Sequence, residues 1–244
     1  MSYLTIDIGN TLIKCGVYKS LQPDTSVPYH LAEVYTIKPG MLDSLVHDYA
    51  VEKTIVSSVR QMDDDLMSWI KSQKALQLSH DLKFNFYNAY ETPDTLGLDR
   101  MAVVAGGAAL AGDQPFMVID AGTCITYEWV GPNRRYEGGA ISPGLEMRYK
   151  ALNTFTGKLP LVKSYGDANF PGKTTQESIA VGVTSGYLAE INELIRLFNN
   201  KYPDPIIFLC GGNADFIQNK CLRTMHLEKH LVLLGLLKIM EKNA

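Results

Sequence analysis

Short apolar runs bounded by glycine, asparagine and charged residues open the chain. "YLTIDI", "LIKCGVY" and "AEVYTI" have the length and side-chain make-up of strands, and "MLDSLVHDYA" predicts a helix. The strand "KTIVSSV" follows, then the helical stretch "DDDLMSWIKSQ", whose acidic start suits the positive end of a helix. Beyond the apolar-aromatic segment "KFNFYN", the alanine-rich "LDRMAVVAGGAALAG" predicts a helix ending at Gly112. Three strands followed by alternating helices and strands predict an α/β domain.

The second half repeats the start of the first. "LTIDIGNTLIKCGVY" aligns with "MVIDAGTCITYEWV", so that Asp7 and Gly9 correspond to Asp120 and Gly122, close to half a chain length apart. Each copy ends a strand on an aspartate just before a turn. The second half continues with the strand "RRYEGGAI", a helix from about Gly144, a long helix over "TTQESIAVGVTSGYLAEINELIRLFNN", and the strand-turn-helix "PIIFLCGGNADFIQN". Duplication with divergence accounts for this pattern, and two α/β halves divided at residues 112 and 113 predict a cleft between them.

A charge at the end of an apolar strand costs free energy unless something pairs with it. Backbone N–H groups at glycine turns can cradle a phosphate chain. A carboxylate repels phosphate, so a hydrated cation between them points to a metal-dependent nucleotide site. The alternative for either aspartate alone is a turn cap, and for Lys14 a solvent-exposed strand residue.

Composition narrows the field. With 244 residues, 46% of them hydrophobic, the chain can build one large core or two smaller ones. A net charge of -3 and a pI near 6.0, without a long basic run, argue against general nucleic-acid binding. Any anionic ligand must therefore be held locally. The first strand begins within three residues of Met1, so no signal peptide is expected. "LVLLGLLKIM" is about half the length of a bilayer span and predicts a buried helix face, not a membrane segment. Cys15, Cys124, Cys210 and Cys221 form no CxxC element and no grouping with histidine, and are expected to be reduced core thiols of a cytoplasmic protein.

With its two DxG-type hairpins the sequence resembles the acetate kinase, sugar kinase, Hsp70 and actin superfamily. Within it, "DIGNTLIKCGVY", "LGLDR", "DAGTCITYEW", "GGAISPGLEMRYKAL", "GKTTQESIAVGV" and "CGGNADFI" are similar in order and spacing to type III pantothenate kinases, over nearly the whole chain. The resemblance implies two ribonuclease H-like (actin-like ATPase) domains. It also implies transfer of the γ-phosphoryl group of ATP to pantothenate, with Mg2+ and a monovalent cation, K+ or NH4+, as cofactors. Asp7, Ile8, Gly9, Asn10, Thr11, Leu12, Ile13 and Lys14 would form the first phosphate loop, with Thr123, Gly211 and Gly212 also at ATP. Asp99 would be the catalytic base; Tyr90, Gly97, Leu98, Asp99, Arg100 and Thr175 would contact pantothenate; and Asp120 would ligate the monovalent cation. Thr175 would reach the substrate across a homodimer interface.

The residues themselves leave other readings open. Asp99 could favour the N-terminal end of the following helix while Arg100 makes a surface pair. Tyr87 lies close to Tyr90 and could replace it. Thr174 has Glu177 at the capping-box position, which favours Thr174 as the helix cap and frees Thr175. Cys210 and Asn213 stand where related sequences have threonine and aspartate, a departure in the adenosine-side element. Two other functions compete: a different small-molecule kinase or phosphatase of the superfamily, and a non-catalytic nucleotide-binding regulator, such as a transcriptional accessory protein. A filament protein of the actin type would need insertions this chain lacks.

Overall fold

A computed structural model describes residues 1–9, 12–20, 29–37, 40–162, 170–221 and 223–243. Asn10 and Thr11 of the predicted phosphate loop lie outside this set. The chain forms two compact units: Met1–Asp113 with Arg134–Tyr136 and His230–Ala244, and Gln114–Asn133 with Glu137–Lys229.

In the first unit β1 (Ser2–Ile8), β2 (Ile13–Ser20) and β3 (Tyr29–Thr36) form an antiparallel meander. Helix α1 (Met41–Asp48) leads to β4 (Val51–Ser58), which lies parallel to β1 on its free side. Helix α2 (Asp64–Ser72) then leads to the short β5 (Leu76–Gln77), and the sheet order is β3-β2-β1-β4-β5. Asp63 caps α2 by accepting the Leu66 N–H at 2.8 Å. Strand alternation splits the core. Leu4, Ile6 and Ile8 pack with Leu42 and Leu45 of α1 and Ile70 of α2. Beyond the short β6 (Tyr87–Asn88) comes α3 (Leu98–Ala111), which packs with Tyr18 and Ile55 on a second cluster.

The second unit repeats the opening hairpin with β7 (Phe116–Ala121) and β8 (Cys124–Gly131), followed by β9 (Arg135–Pro143). Helices α4 (Leu145–Thr154) and α5 (Thr175–Lys201) come next, then β10 (Ile206–Cys210), α6 (Ala214–Lys220) and β11 (His226–Leu227). The sheet runs β11-β10-β7-β8-β9. The first residues of β9, Arg135 and Tyr136, belong with the first unit, where they pair in parallel with Tyr87 and Asn88.

The division differs from a simple halving of the chain. The break falls between Asp113 and Gln114, but α7 (Leu231–Lys242) belongs to the first unit. Its apolar side chains Leu233, Leu236, Leu237, Ile239 and Met240 share a cluster with Ala102 and Ala105 of α3. The helices meet at glycines: a Cβ on Gly106 would collide with the Leu231 carbonyl, and one on Gly235 with the Ala102 carbonyl. The expected buried helix is thus found, though on the other unit.

Candidate active site

The opening hairpin sets Asp7 directly opposite Lys14 and Ile8 opposite Ile13. Directly opposed residues of an antiparallel pair share a sheet face, so the carboxylate and ammonium emerge on one side. The turn is tight. Gly9 N donates to Leu12 O at 3.0 Å, and a Cβ on Gly9 would lie only 3.2 Å from that oxygen. Asp7 also has Ser57 of β4 as its parallel neighbour. Its charge acts on the adjacent strand: burial first, then the Asp7 carboxylate, push the Cys15 thiol well above its ordinary value of 9.0.

The segment before α3 forms a second group in the same unit. Gly97 is the N-cap, and its carbonyl accepts from Met101 N at 3.1 Å. Asp99 lies in the first turn, where its Oδ1 accepts the Arg100 N–H at 2.8 Å. Its Oδ2 has no hydrogen bond among the described residues. A Cβ on Gly97 would stand 2.6 Å from Asp99 Oδ1, so the glycine leaves the room that carboxylate occupies. Leu98 begins the helix and packs against the α3–α7 cluster.

Arg100 is 6% exposed, which conflicts with the surface pair that its sequence context allowed. Its Nη2 donates to the Tyr136 hydroxyl at 2.9 Å, and the guanidinium lies 5.8 Å from the Tyr90 ring centroid. Tyr90 and Tyr136 stack with centroids 6.1 Å apart at 24°. Tyr87 is 61% exposed and carries Arg135 over its ring instead. The structure therefore groups Tyr90, and not Tyr87, with Arg100. Tyr136 escaped sequence reasoning, because no local pattern links it to a residue 36 positions away.

In the second unit Asp120 faces Thr126 across the hairpin, and Gly122 N closes the turn on Cys124 O at 2.9 Å. Two more distant glycines pack on this turn. Gly144 N donates to Thr123 O at 3.2 Å, and a Cβ there would run into the Thr123 and Gly122 carbonyls. Gly211, at φ +90°, lies so close that a Cβ would be 2.5 Å from Asp120 Oδ1. Gly212 borders open space. The Gly211 requirement is thus explained by protein contact alone, and the Gly212 position is open to a ligand. Asn213 N donates to Ala121 O at 2.9 Å, tying the start of α6 to the same strand. Cys124 is exposed and Cys221 half-buried, so only Cys15 and Cys210 are the core thiols expected; none of the four is in a disulfide.

Thr174 caps α5 in a capping box with Glu177: its side chain accepts the Glu177 N–H at 3.2 Å, and Glu177 Oε2 accepts the Thr174 N–H at 3.1 Å. Thr175 is the first helical residue and is exposed, as the capping pattern anticipates.

The paired hairpins, each followed by helix-linked parallel strands, define the actin-like ATPase and sugar kinase fold. A glucokinase from an Antarctic psychrotroph shares that fold at a TM-score of 0.55, with 9% identity over 100% of this chain and 99% of the other. A Campylobacter jejuni protein assigned to the Baf family of transcriptional activators does so at 0.61, with 21% identity over 98% of both chains. The family model of type III pantothenate kinases matches residues 3–197. A type III pantothenate kinase of Bacteroides fragilis is 38% identical over 98% of both chains. The chain belongs to the type III pantothenate kinase family.

Proposed function

We propose that this chain transfers the γ-phosphoryl group of ATP to the primary hydroxyl of (R)-pantothenate, giving (R)-4'-phosphopantothenate and ADP, the first step of coenzyme A synthesis. Family membership over nearly the full length supports the reaction. The observation that carries its assignment to residues is Asp99, half-buried at the start of α3, with one oxygen held by the Arg100 N–H and the other without a hydrogen bond among the described residues.

In this reading Asp99 Oδ2 accepts the proton of the pantothenate hydroxyl as that oxygen bonds to the γ-phosphorus and the bond to the β-phosphate oxygen breaks. Tyr90, Gly97, Leu98 and Arg100 line the substrate, with the buried guanidinium supplying a fixed positive charge for an anionic acceptor. The hairpin from Asp7 to Lys14 binds the ATP phosphates, Lys14 by charge, while Gly9, whose own N–H closes the turn on Leu12 O, lets the backbone approach them closely. Thr123, Gly211 and Gly212 serve the nucleotide in the second unit. The chain's donor set fits Mg2+ of the phosphoryl-transfer kind, which keeps several waters and takes one or two carboxylates: Asp7 is the penultimate residue of β1, beside the turn and opposite Lys14. Bound there, the ion would neutralise phosphate charge. Asp120 would hold a monovalent cation, K+ or NH4+.

The proposal extends to a homodimer in which Thr175 serves the partner's substrate. Exposed apolar residues flank Thr175 and the α4 region, with Ile141 64%, Phe155 85% and Phe170 86% exposed, which supports burial against a second copy. The reading places the enzyme in the cytoplasm, as suits a biosynthetic kinase of this family; among the described residues no helix is long and apolar enough to cross a membrane.

ADP release with ATP and pantothenate tests the reaction, for wild type and Asp99→Asn. Pantothenate-dependent turnover is expected, with kcat lowered about 10²–10⁴-fold in the variant; folded wild type without such turnover rejects the reading. Mixing Asp99→Asn with Thr175→Arg subunits tests the shared site: each alone is impaired, and exchange should restore activity through one intact site per dimer. A monomeric mass with full activity rejects it.

A further inference from the structure

Gly144 presses on the turn at Thr123 from the corner where β9 enters α4, and that corner is itself held by side chains outside every role assigned above. Arg148, one turn into α4, donates Nε to Pro143 O at 2.8 Å and Nη2 to Ser142 Oγ at 2.9 Å. The same Nη2 meets Glu190 Oε2 at 2.6 Å. Glu190 projects from the middle of α5 and accepts two more donors, Ser142 Oγ at 3.0 Å and the Tyr127 hydroxyl at 2.9 Å. The pair is largely withdrawn from water, with side chains 19% and 27% exposed, and the guanidinium lies 5.1 Å from the Tyr187 ring centroid. Burial, then the Glu190 charge, raise the Tyr127 hydroxyl above its ordinary range, so it stays a donor throughout the neutral range.

We propose that Arg148 and Glu190 are positioning residues for nucleotide binding: they fix the Ser142–Pro143–Gly144 corner, and the corner fixes the Gly122–Thr123 turn. The mechanical link is the Gly144 contact. With no room for a Cβ between Gly144 and the two turn carbonyls, any movement of the corner is passed to the turn. The hairpin also meets Gly211 at Asp120, and Asn213 N bonds Ala121 O; at the corner it is the side-chain hydrogen bonds of Arg148 that hold Ser142 and Pro143. The guanidinium serves a carbonyl, a hydroxyl and a carboxylate from two nitrogens fixed in one plane, whereas a lysine's three donors share a single nitrogen and cannot reproduce those directions. The proposal rests on Thr123 lying at ATP.

Steady-state kinetics and calorimetric binding of a non-hydrolysable ATP analogue test it, on Glu190→Gln, Arg148→Lys and Thr123→Val. Both network variants should raise the KM for ATP about ten-fold while the KM for pantothenate stays within about two-fold, a split that general loosening would not give. Arg148→Lys should be impaired despite its retained charge. Should Arg148→Lys not fold, Ser142→Ala, which removes one hydroxyl from the network, must still weaken analogue binding. Thr123→Val weakening ATP while the network variants bind as wild type overturns the positioning role and spares the site. If Thr123→Val also binds as wild type, the Thr123 assignment falls and takes the positioning role with it. Equal rises in both KM values also overturn it.

Discussion

Asp99 is oriented by its immediate neighbours: the Arg100 N–H holds one oxygen, and the missing side chain of Gly97 leaves that oxygen its place. Gly97 has φ −55°, which alanine adopts without strain, so Gly97→Ala tests placement separately from folding. The new methyl displaces the end of a flexible carboxylate. Stability should change by less than about 1 kcal/mol, whereas kcat should fall about ten-fold or more, as for a general base moved by a fraction of an ångström. Thermal unfolding and ADP release on the same preparation separate the two effects; loss of stability without loss of kcat would refute the assignment. The GLDR segment stood out in the sequence because an aspartate and an arginine adjoin after a glycine. The burial of Arg100 against Tyr90 and Tyr136 did not, since a guanidinium reads as surface until the chain brings two tyrosines to it.

The start of α5 is an element whose end was legible residue by residue. Thr174, Glu177 and their spacing are sufficient for a capping box, because every hydrogen bond in it is local. Thr174→Ala should cost about 1 kcal/mol of stability. Thr175→Ala should leave stability nearly unchanged, being an exposed first-turn position with no capping bond, and raise the KM for pantothenate. Chemical denaturation alongside kinetics checks both, and a reversed pattern would assign the cap to Thr175. The glycines of the second hairpin behave differently. Gly144 and Gly211 are small because distant backbone occupies the space of their side chains, which no local pattern of "GGAISPG" or "CGGNADF" discloses.

For the whole molecule, the buried ionisable groups set its response to alkali. Cys15, Tyr18, Tyr127 and Tyr187 are all buried, and burial is the leading cause that raises each above its ordinary value of 9.0 for the thiol and 10.0 for the phenols. Above those values the unfolded chain releases these protons while the native state keeps them. The native state then binds more protons, and stability falls as pH rises. Urea midpoints should be level through neutrality and decline from about pH 9 upward, and Cys15→Ala should soften the first part of that decline. A midpoint flat to pH 11 would contradict it.

The sequence by itself determined the longer helices and strands, the two aspartate-bearing hairpins and the capping of α5. Each depends on periodicity, turn chemistry or hydrogen bonds spanning a few residues. Tertiary structure alone decided that the apolar C-terminal helix returns to the first unit, where Gly235 and Gly106 let it approach α3. It alone joined Arg100 to Tyr136 and Arg148 to Glu190. Those outcomes turn on which surfaces fit at van der Waals distance and which buried charges find partners, and both are properties of the packed chain.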